Sequence, residues 1–283
     1  MIKIAIQKSG RLNEESLGLI RDCGINFEIY RDQLKVISKN YPIEIYFLRN
    51  GDIPKYLHDG VIDIAIIGEN TLYEKAYQFE VLERLGFSKC RVCIAVPNEF
   101  KYKDKSDLNN IRIATSYPNT LKKFLEKENI KSDLHIINGS VEISPSMGLA
   151  DAVCDIVSSG STLFENNLVE VIKLFDSEAV LVQSGKVKKE THSEIKNLIF
   201  RIRSVLLAKK FKYILMNAPN KSINKISKIL PVLKSPTVLP LAKEGWSSIH
   251  SVIDYQDFWN IIDMLKKEGA EDILICPIEK MVM

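Results

Sequence analysis

Short apolar runs alternate with amphipathic stretches along most of the chain. Residues 2–6 have strand character, a polar turn follows at 8–11, and the stretch 14–23 carries leucine and isoleucine at helical spacing. Asn13 has the chemistry of a helix N-cap, Leu12 and Leu17 have the spacing of a hydrophobic staple around it, and Gly24 sits where a C-terminal cap belongs. The same grammar predicts strands at 43–48, 62–67, 111–115, 134–137 and 155–157. Each is followed by polar residues: Arg49, then Glu69 and Asn70, then Ser116 and Tyr117, then Asn138 and Ser140, then Ser158 and Ser159. These are βα units, and in a parallel sheet the carboxyl ends of the strands form the edge that holds ligands.

The pattern divides into two α/β lobes. A boundary is expected near 90–97, with a strand at 179–183 and a long helix at 190–209 returning to the first lobe. That gives lobe I as residues 1–90 and 179–209, lobe II as 91–178, and a cleft between them. Past residue 210 the order becomes strand 213–217, helix 223–229, strands 237–241 and 248–253, helix 258–267 and strand 273–276. This βαββαβ order over 210–283 predicts a ferredoxin-like, ACT-like domain, with Lys243, Glu244 and Gly245 turning its hairpin and Gly269 closing its last helix.

Composition narrows the function. With 283 residues, 46% of them hydrophobic, the chain can bury two or three cores. Its 39 basic against 36 acidic residues leave a formal charge of +3, too small for a nucleic-acid surface, and the basic clusters at 101–105 and 186–189 read as solvated loops. No apolar run reaches the ~18 residues that span a bilayer, and the N-terminus enters a strand without signal-peptide character, so no membrane partner and a cytoplasmic location are expected. Five cysteines fit a reducing compartment. Cys90 and Cys93 lie in a strand-like run at a spacing that points their sulfurs to opposite faces, and His58, His135, His192 and His250 are scattered. No protein-held metal site is expected from them.

The most informative stretch is 148–163, where Asp151 and Asp155 flank a strand that ends in Ser158, Ser159, Gly160, Ser161 and Thr162. A turn opening into a helix at Ser161 or Thr162 presents backbone N–H groups, a helix dipole and hydroxyls to an anion. The bland alternative is a turn whose serines satisfy only the helix start. Two carboxylates beside a phosphate site would repel the ligand unless they meet ribose hydroxyls or a bridging Mg²⁺, and a sugar bearing a phosphate and a diol satisfies the whole set. Phosphoribosyl pyrophosphate is such a molecule.

Seven segments in order now resemble one family: 5–12, 48–54, 63–70, 112–118, 138–142, 151–162 and 235–241. The chain resembles ATP phosphoribosyltransferase in its long form, the first enzyme of histidine biosynthesis, over nearly its whole length. The resemblance implies two lobes shaped like a type II periplasmic binding protein, with ATP and phosphoribosyl pyrophosphate meeting in the cleft and Mg²⁺ as cofactor. The product would be N1-(5-phosphoribosyl)-ATP, made without a covalent intermediate. By the same resemblance Asp151, Asp155, Ser158, Ser159, Gly160, Ser161 and Thr162 hold the ribose 5-phosphate part, Glu142 faces the ribose, and Lys8, Arg11, Arg49 and Tyr117 serve pyrophosphate or ATP. Lys8, Arg11 and Asp151 are the residues assigned to catalysis, the two cations as charge stabilisers. The last domain would bind histidine as a feedback inhibitor between subunits of a homo-oligomer, dimer or hexamer, through positions such as Asn217, Ser235, Thr237 and Val252. Where many members carry an arginine, this chain has Gln33, with Arg31 two residues before it. The rival reading is a non-catalytic two-lobed protein that binds a small anion or regulates.

Overall fold

The computed structural model describes residues 1–230 and 235–282. By the density of its internal contacts the chain forms two compact units, residues 1–21 with 25–196, and residues 22–24 with 197–283.

The first unit holds both lobes. Lobe I begins with β1 (Ile2–Gln7), α1 (Arg11–Asp22), β2 (Lys35–Ile37), β3 (Ile43–Leu48) and α2 (Ile53–His58), and continues with β4 (Ile64–Gly68), α3 (Glu69–Lys75) and β5 (Glu80–Arg84). Lobe II holds β6 (Cys90–Pro97), β7 (Arg112–Thr115), α4 (Pro118–Glu128), β8 (Asp133–Ile136), β9 (Ala152–Val157), α5 (Ser161–Glu165) and β10 (Leu168–Ser177). The chain then returns to the first sheet as β11 (Ala179–Gln183). The lobe I sheet has the order β2-β3-β1-β4-β11-β5, and the lobe II sheet the order β10-β6-β9-β7-β8. Strands β3, β1 and β4 run parallel, as do β9, β7 and β8, so the loops after them emerge at one edge of each sheet. The chain passes between sheets twice, through residues 85–89 and through Glu178. This is the two-lobed architecture of the periplasmic binding proteins, as expected.

Each lobe has its own core. In lobe I, Ala5, Ile53, Leu57, Ile67, Val180 and Val182 pack on one face of the sheet. In lobe II the strand alternation divides β6 and β9 between two cores, with Val92, Ile94 and Cys154 on one face and Cys93, Ala95 and Val153 on the other.

The second unit carries most of α6 (His192–Lys210), followed by β12 (Phe211–Pro219), α7 (Ile223–Ile229), β13 (Thr237–Pro240), β14 (Trp246–Asp254), α8 (Phe258–Lys267) and β15 (Glu271–Pro277). Its sheet order, β13-β14-β12-β15, places the first and third strands at the centre, as the ferredoxin-like order requires. Ile214, Met216, Ile249 and Ile253 meet Ile226, Ile261 and Leu265 from the two helices on one face.

Several expectations change. Helix α1 begins at Arg11, so Asn13 lies inside its first turn instead of capping it. The chain enters through Gly10 at φ +85°, Glu14 N–H donates to the Gly10 carbonyl, and Asn13 Nδ2 donates to the Gln7 carbonyl at 2.7 Å. The long helix belongs mainly with the C-terminal unit, since the division falls at residues 196 and 197 within it and not after residue 209. Strand β10 at 168–177 had no expected element. It is an edge strand of mixed burial with two register irregularities against β6, and such interruptions blur the alternation that marks a strand.

Ile67, fully buried in the lobe I core, and Val61, 52% exposed, give a stability contrast. Ile67→Ala should lower the unfolding free energy in urea by about 2–5 kcal/mol, whereas Val61→Ala should change it by no more than about 0.5 kcal/mol.

Candidate functional site

Strand β9 ends at Val157, and the chain then turns through Ser158, Ser159 and Gly160 into α5. Gly160 has φ +88°, and a Cβ built there would meet nothing within 4 Å, so backbone conformation, not space, calls for glycine. Ser159 Oγ and Ser161 Oγ lie 2.9 Å apart across the turn. Helix α5 is only five residues long, which makes its dipole a smaller contributor than the sequence suggests. What remains is local: the first N–H groups of a helix have no intrahelical acceptor, and four hydroxyl-bearing residues, Ser158, Ser159, Ser161 and Thr162, share the bend.

The turn walls a cavity of about 320 Å³. Ser158, Ser159, Gly160 and Thr162 line it, with Glu142 and Asp155 from lobe II and Gln7, Arg11, Asn50 and Asn70 from lobe I. Arg11 spans the lobes, donating through Nη1 to Ser158 Oγ at 2.9 Å and through Nη2 to the Lys89 carbonyl at 3.2 Å. Arg91 braces the same bend from its own lobe, donating to the Ser158 carbonyl at 3.2 Å while paired with Glu170 at 2.6 Å.

Asp155 is the strongly perturbed acid of this cavity. Burial pushes its carboxyl up to about 6, Glu142 adds repulsion, and hydrogen bonds from the Ile156 N–H at 2.7 Å and Ser116 Oγ at 3.0 Å pull the other way. The carboxylates that converge are therefore those of Asp155 and Glu142, which line the cavity together with the serine turn.

Asp151 does not belong to this group. It precedes the first residue of β9 and Ser158 follows the last, so at ~3.3 Å per residue the two stand roughly 20 Å apart. Its carboxylate accepts from Arg112 Nη2 at 2.8 Å, from Arg112 Nε at 3.1 Å and from the Arg112 backbone N–H at 2.9 Å, and those bonds hold its pKa below the usual carboxylate range. The expectation that Asp151 needs a ligand partner is corrected: its partner is Arg112.

Other expected residues surround the cavity without lining it. Lys8 and Arg49 follow the paired ends of β1 and β3, where Gln7 stands opposite Leu48, and both side chains are exposed at that edge. Ser161 contributes through Ser159. Tyr117 borders an adjoining hollow of about 390 Å³ together with Asn50, Thr71 and Asn138, and burial pushes its phenol up strongly. Arg31 is 97% exposed and faces Asp32 at 3.8 Å.

Three residues at the site are not singled out by the sequence pattern: Asn50, Asn70 and Ser116. The signal was available, because each follows a strand at the ligand-bearing edge. An added Cβ at Gly68 would collide with Asn70 Oδ1, so glycine before Asn70 is what lets that side chain fold against the main chain.

In the second unit, Asn217 on β12 lies opposite Ser248 and Thr237 on β13 opposite His250, while Val252 pairs with Tyr213. By strand alternation these residues share the sheet face away from α7 and α8. Asn217 Nδ2 donates to Asp272 at 3.0 Å, and Ser235 lies two residues before β13.

All five cysteines are free, and burial pushes the Cys93 thiol up to about 12 and also raises Cys90. Among the described residues no group of three or more His, Cys, Asp or Glu could hold a metal ion, and no helix is long and apolar enough to cross a membrane.

Residues 49–204 match the HisG family, ATP phosphoribosyltransferase, and residues 208–280 match the HisG C-terminal domain. The ATP phosphoribosyltransferase of Cytophaga hutchinsonii is 51% identical over 282 residues, spanning 100% of this chain and 99% of that protein. That of Phocaeicola vulgatus is 48% identical over 283 residues, with 100% of both covered. Among solved structures, the ATP phosphoribosyl transferase (HisG:HisZ) complex from Thermotoga maritima aligns with a TM-score of 0.63 at 28% identity, over 72% of this chain and 96% of that one.

The Asp155 environment generates a pH dependence. Its folded pKa of about 6 lies above the unfolded value of about 3.9, so its favourable contribution is complete below about pH 4 and is lost as pH rises through about 6. Asp155→Asn should therefore be more stable than the parent at pH 8, by on the order of 2 kcal/mol, with the gain vanishing near pH 4. Urea unfolding at both pH values measures it, and equal stability gains at the two would contradict the assignment.

Proposed function

Because the chain belongs to the ATP phosphoribosyltransferase family, the enzymes of the first step of histidine biosynthesis, we propose that its serine turn and paired carboxylates bind phosphoribosyl pyrophosphate for transfer to N1 of ATP. The observation that carries the reading is the convergence of the 158–162 turn with Glu142 and Asp155 in one cavity, spanned by Arg11 from the facing lobe. The 5-phosphate takes the N–H groups and hydroxyls of Ser158, Ser159, Gly160, Ser161 and Thr162. The ribose diol donates to the carboxylates of Asp155 and Glu142, which accept as anions. The pyrophosphate extends toward Arg11, with Lys8 and Arg49 at the edge of the lobe I sheet, where ATP enters beside Tyr117.

Transfer needs no protein nucleophile. The lone pair of adenine N1 forms a bond to ribose C1′ as the C1′–O bond breaks, and that electron pair leaves on pyrophosphate. The chain's work is to align the reactants and stabilise the departing charge, for which a fixed cation in a confined cleft is suited. Mg²⁺ characteristically binds one or two carboxylates plus substrate phosphates, so Glu142 and Asp155 fit it as partial ligands, and when bound it would neutralise charge on the pyrophosphate. The C-terminal sheet face bearing Asn217, Thr237 and Val252, with Ser235 just before it, is the place where histidine would act as inhibitor in a cytoplasmic homo-oligomer.

Incubation with ATP, phosphoribosyl pyrophosphate and Mg²⁺ should release pyrophosphate and form N1-(5-phosphoribosyl)-ATP. Thr162→Ala should raise the KM for phosphoribosyl pyrophosphate by about tenfold, the scale of one charge-assisted hydrogen bond, with the melting temperature preserved. In the parent enzyme that KM should also rise as pH falls through about 6, where Asp155 loses its charge. Binding without pyrophosphate release would favour the non-catalytic alternative.

Histidine inhibition is tested separately. Millimolar histidine should slow turnover in the parent enzyme, and Asn217→Ala should weaken that inhibition while leaving uninhibited turnover unchanged. Insensitivity of the parent enzyme would remove the regulatory role from the C-terminal unit.

A further inference from the structure

Helix α4 has no cap of its own. Its N-cap residue, Tyr117, makes no side-chain bond to the first turn, and Pro118 fills the first helical position. The N–H groups of Asn119 and Thr120 therefore need an acceptor from elsewhere. Glu74, on α3 of the other lobe, supplies it for both. Its Oε1 accepts from the Asn119 N–H at 3.0 Å and its Oε2 from the Thr120 N–H at 2.9 Å, while its main-chain carbonyl accepts from Asn119 Nδ2 at 3.1 Å.

Glu74 is only 6% exposed. A carboxylate so buried requires compensation, and the positive end of an eleven-residue helix provides it. A second bond crosses the cleft one turn earlier on α3. Asn70, 5% exposed, donates through Nδ2 to the Tyr117 hydroxyl at 2.6 Å. Asn70 is itself held by Ser177, the residue before the return crossing to lobe I, at 2.9 Å through its N–H and 3.1 Å through Oδ1.

We propose that Glu74 is a positioning residue for phosphoribosyl transfer: by capping α4 across the cleft, it sets the angle between the lobes. The inference rests on the reaction assigned above. The groups assigned to the 5-phosphate and the diol all belong to lobe II, whereas Lys8 and Arg49 belong to lobe I, so lobe angle governs the distance between ATP and C1′. Glu74 does not line the cavity walled by the serine turn; it borders the adjoining hollow beside Tyr117, and it acts through α4 and Tyr117. If the lobes part, the carboxylate and the two N–H groups all regain water, and the latch can re-form. An apolar contact at this place would hold the lobes without orienting them, because only hydrogen bonds fix direction.

The test separates positioning from binding. Glu74→Ala should lower kcat by about tenfold or more, the effect of a misplacement of about 1 Å, while calorimetric Kd for phosphoribosyl pyrophosphate stays within about twofold. Glu74→Gln keeps one oxygen for one of the two N–H groups and should lose less than the alanine variant. Turnover of Glu74→Ala within about twofold of the parent overturns the proposal, as does a fall in kcat matched by an equal fall in phosphoribosyl pyrophosphate affinity. Should the alanine variant fail to fold, the isosteric Glu74→Gln decides alone, by a reduced kcat at unchanged affinity or by parental turnover. A parent enzyme without pyrophosphate release sinks the reaction itself, whereas an active parent with equally active variants sinks only the latch.

Discussion

Parallel strands impose the constraint from which the rest of this site follows. In a parallel sheet every strand delivers what comes after it to the same edge, so residues distant in sequence gather without any contact having to find them. Gln7 ends one strand of lobe I and Asn50 follows the strand paired with it, Asn70 follows the third, and Ser116 and Ser158 follow two paired strands of lobe II. The two crossings at 85–89 and Glu178 keep the two edges turned toward one cavity. Catalytic chemistry then depends on which polar residue follows each strand, and the apolar strands can be optimised for packing alone.

Charge is distributed across that cavity unevenly. Lobe II presents acids, Glu142 and the buried Asp155, whose carboxyl burial pushes up, whereas lobe I presents the guanidinium of Arg11 and, at its edge, Lys8 and Arg49. A ligand with a neutral diol and two anionic ends suits this arrangement better than a simple anion. The diol would cover the carboxylates, and the phosphates would fall on the N–H groups and cations. A bare phosphate would meet Asp155 with nothing between them, and that repulsion is what a ribose would remove.

The sequence pattern carried the serine turn, the βα order and the C-terminal βαββαβ unit, because each is written in local spacing. Helices at 223–229 and 258–267 came out at their observed bounds for that reason. Legibility failed where geometry is not local. Asp151 and Asp155 look adjacent in sequence, yet a strand separates Asp151 from the turn and Arg112 claims its carboxylate. Asn13 looked like a cap because its side chain can cap, but Gly10 lets the chain enter the helix earlier. Strand β10 was missed because its bulges break the alternation, and the short reach of α5 was invisible because a helix start does not announce its length.

The contacts that close the cleft differ in kind from those that hold each lobe. Within the lobes, isoleucine, valine and leucine are fully buried, and their removal exposes area that water cannot repay. Across the cleft the hydrogen bonds run from Arg11 to Ser158, Asn70 to Tyr117 and the start of α4 to Glu74, beside one edge-to-face ring pair, Tyr73 with Phe175 at 4.8 Å. Water can replace each partner, so each bond contributes only about 0.5–1.5 kcal/mol net, more where charge assists. Opening therefore costs a few such exchanges and one ring contact, while deforming a lobe would cost its core. A cleft that must admit two large anionic substrates and release two products is better served by that difference in kind than by a uniformly strong interface.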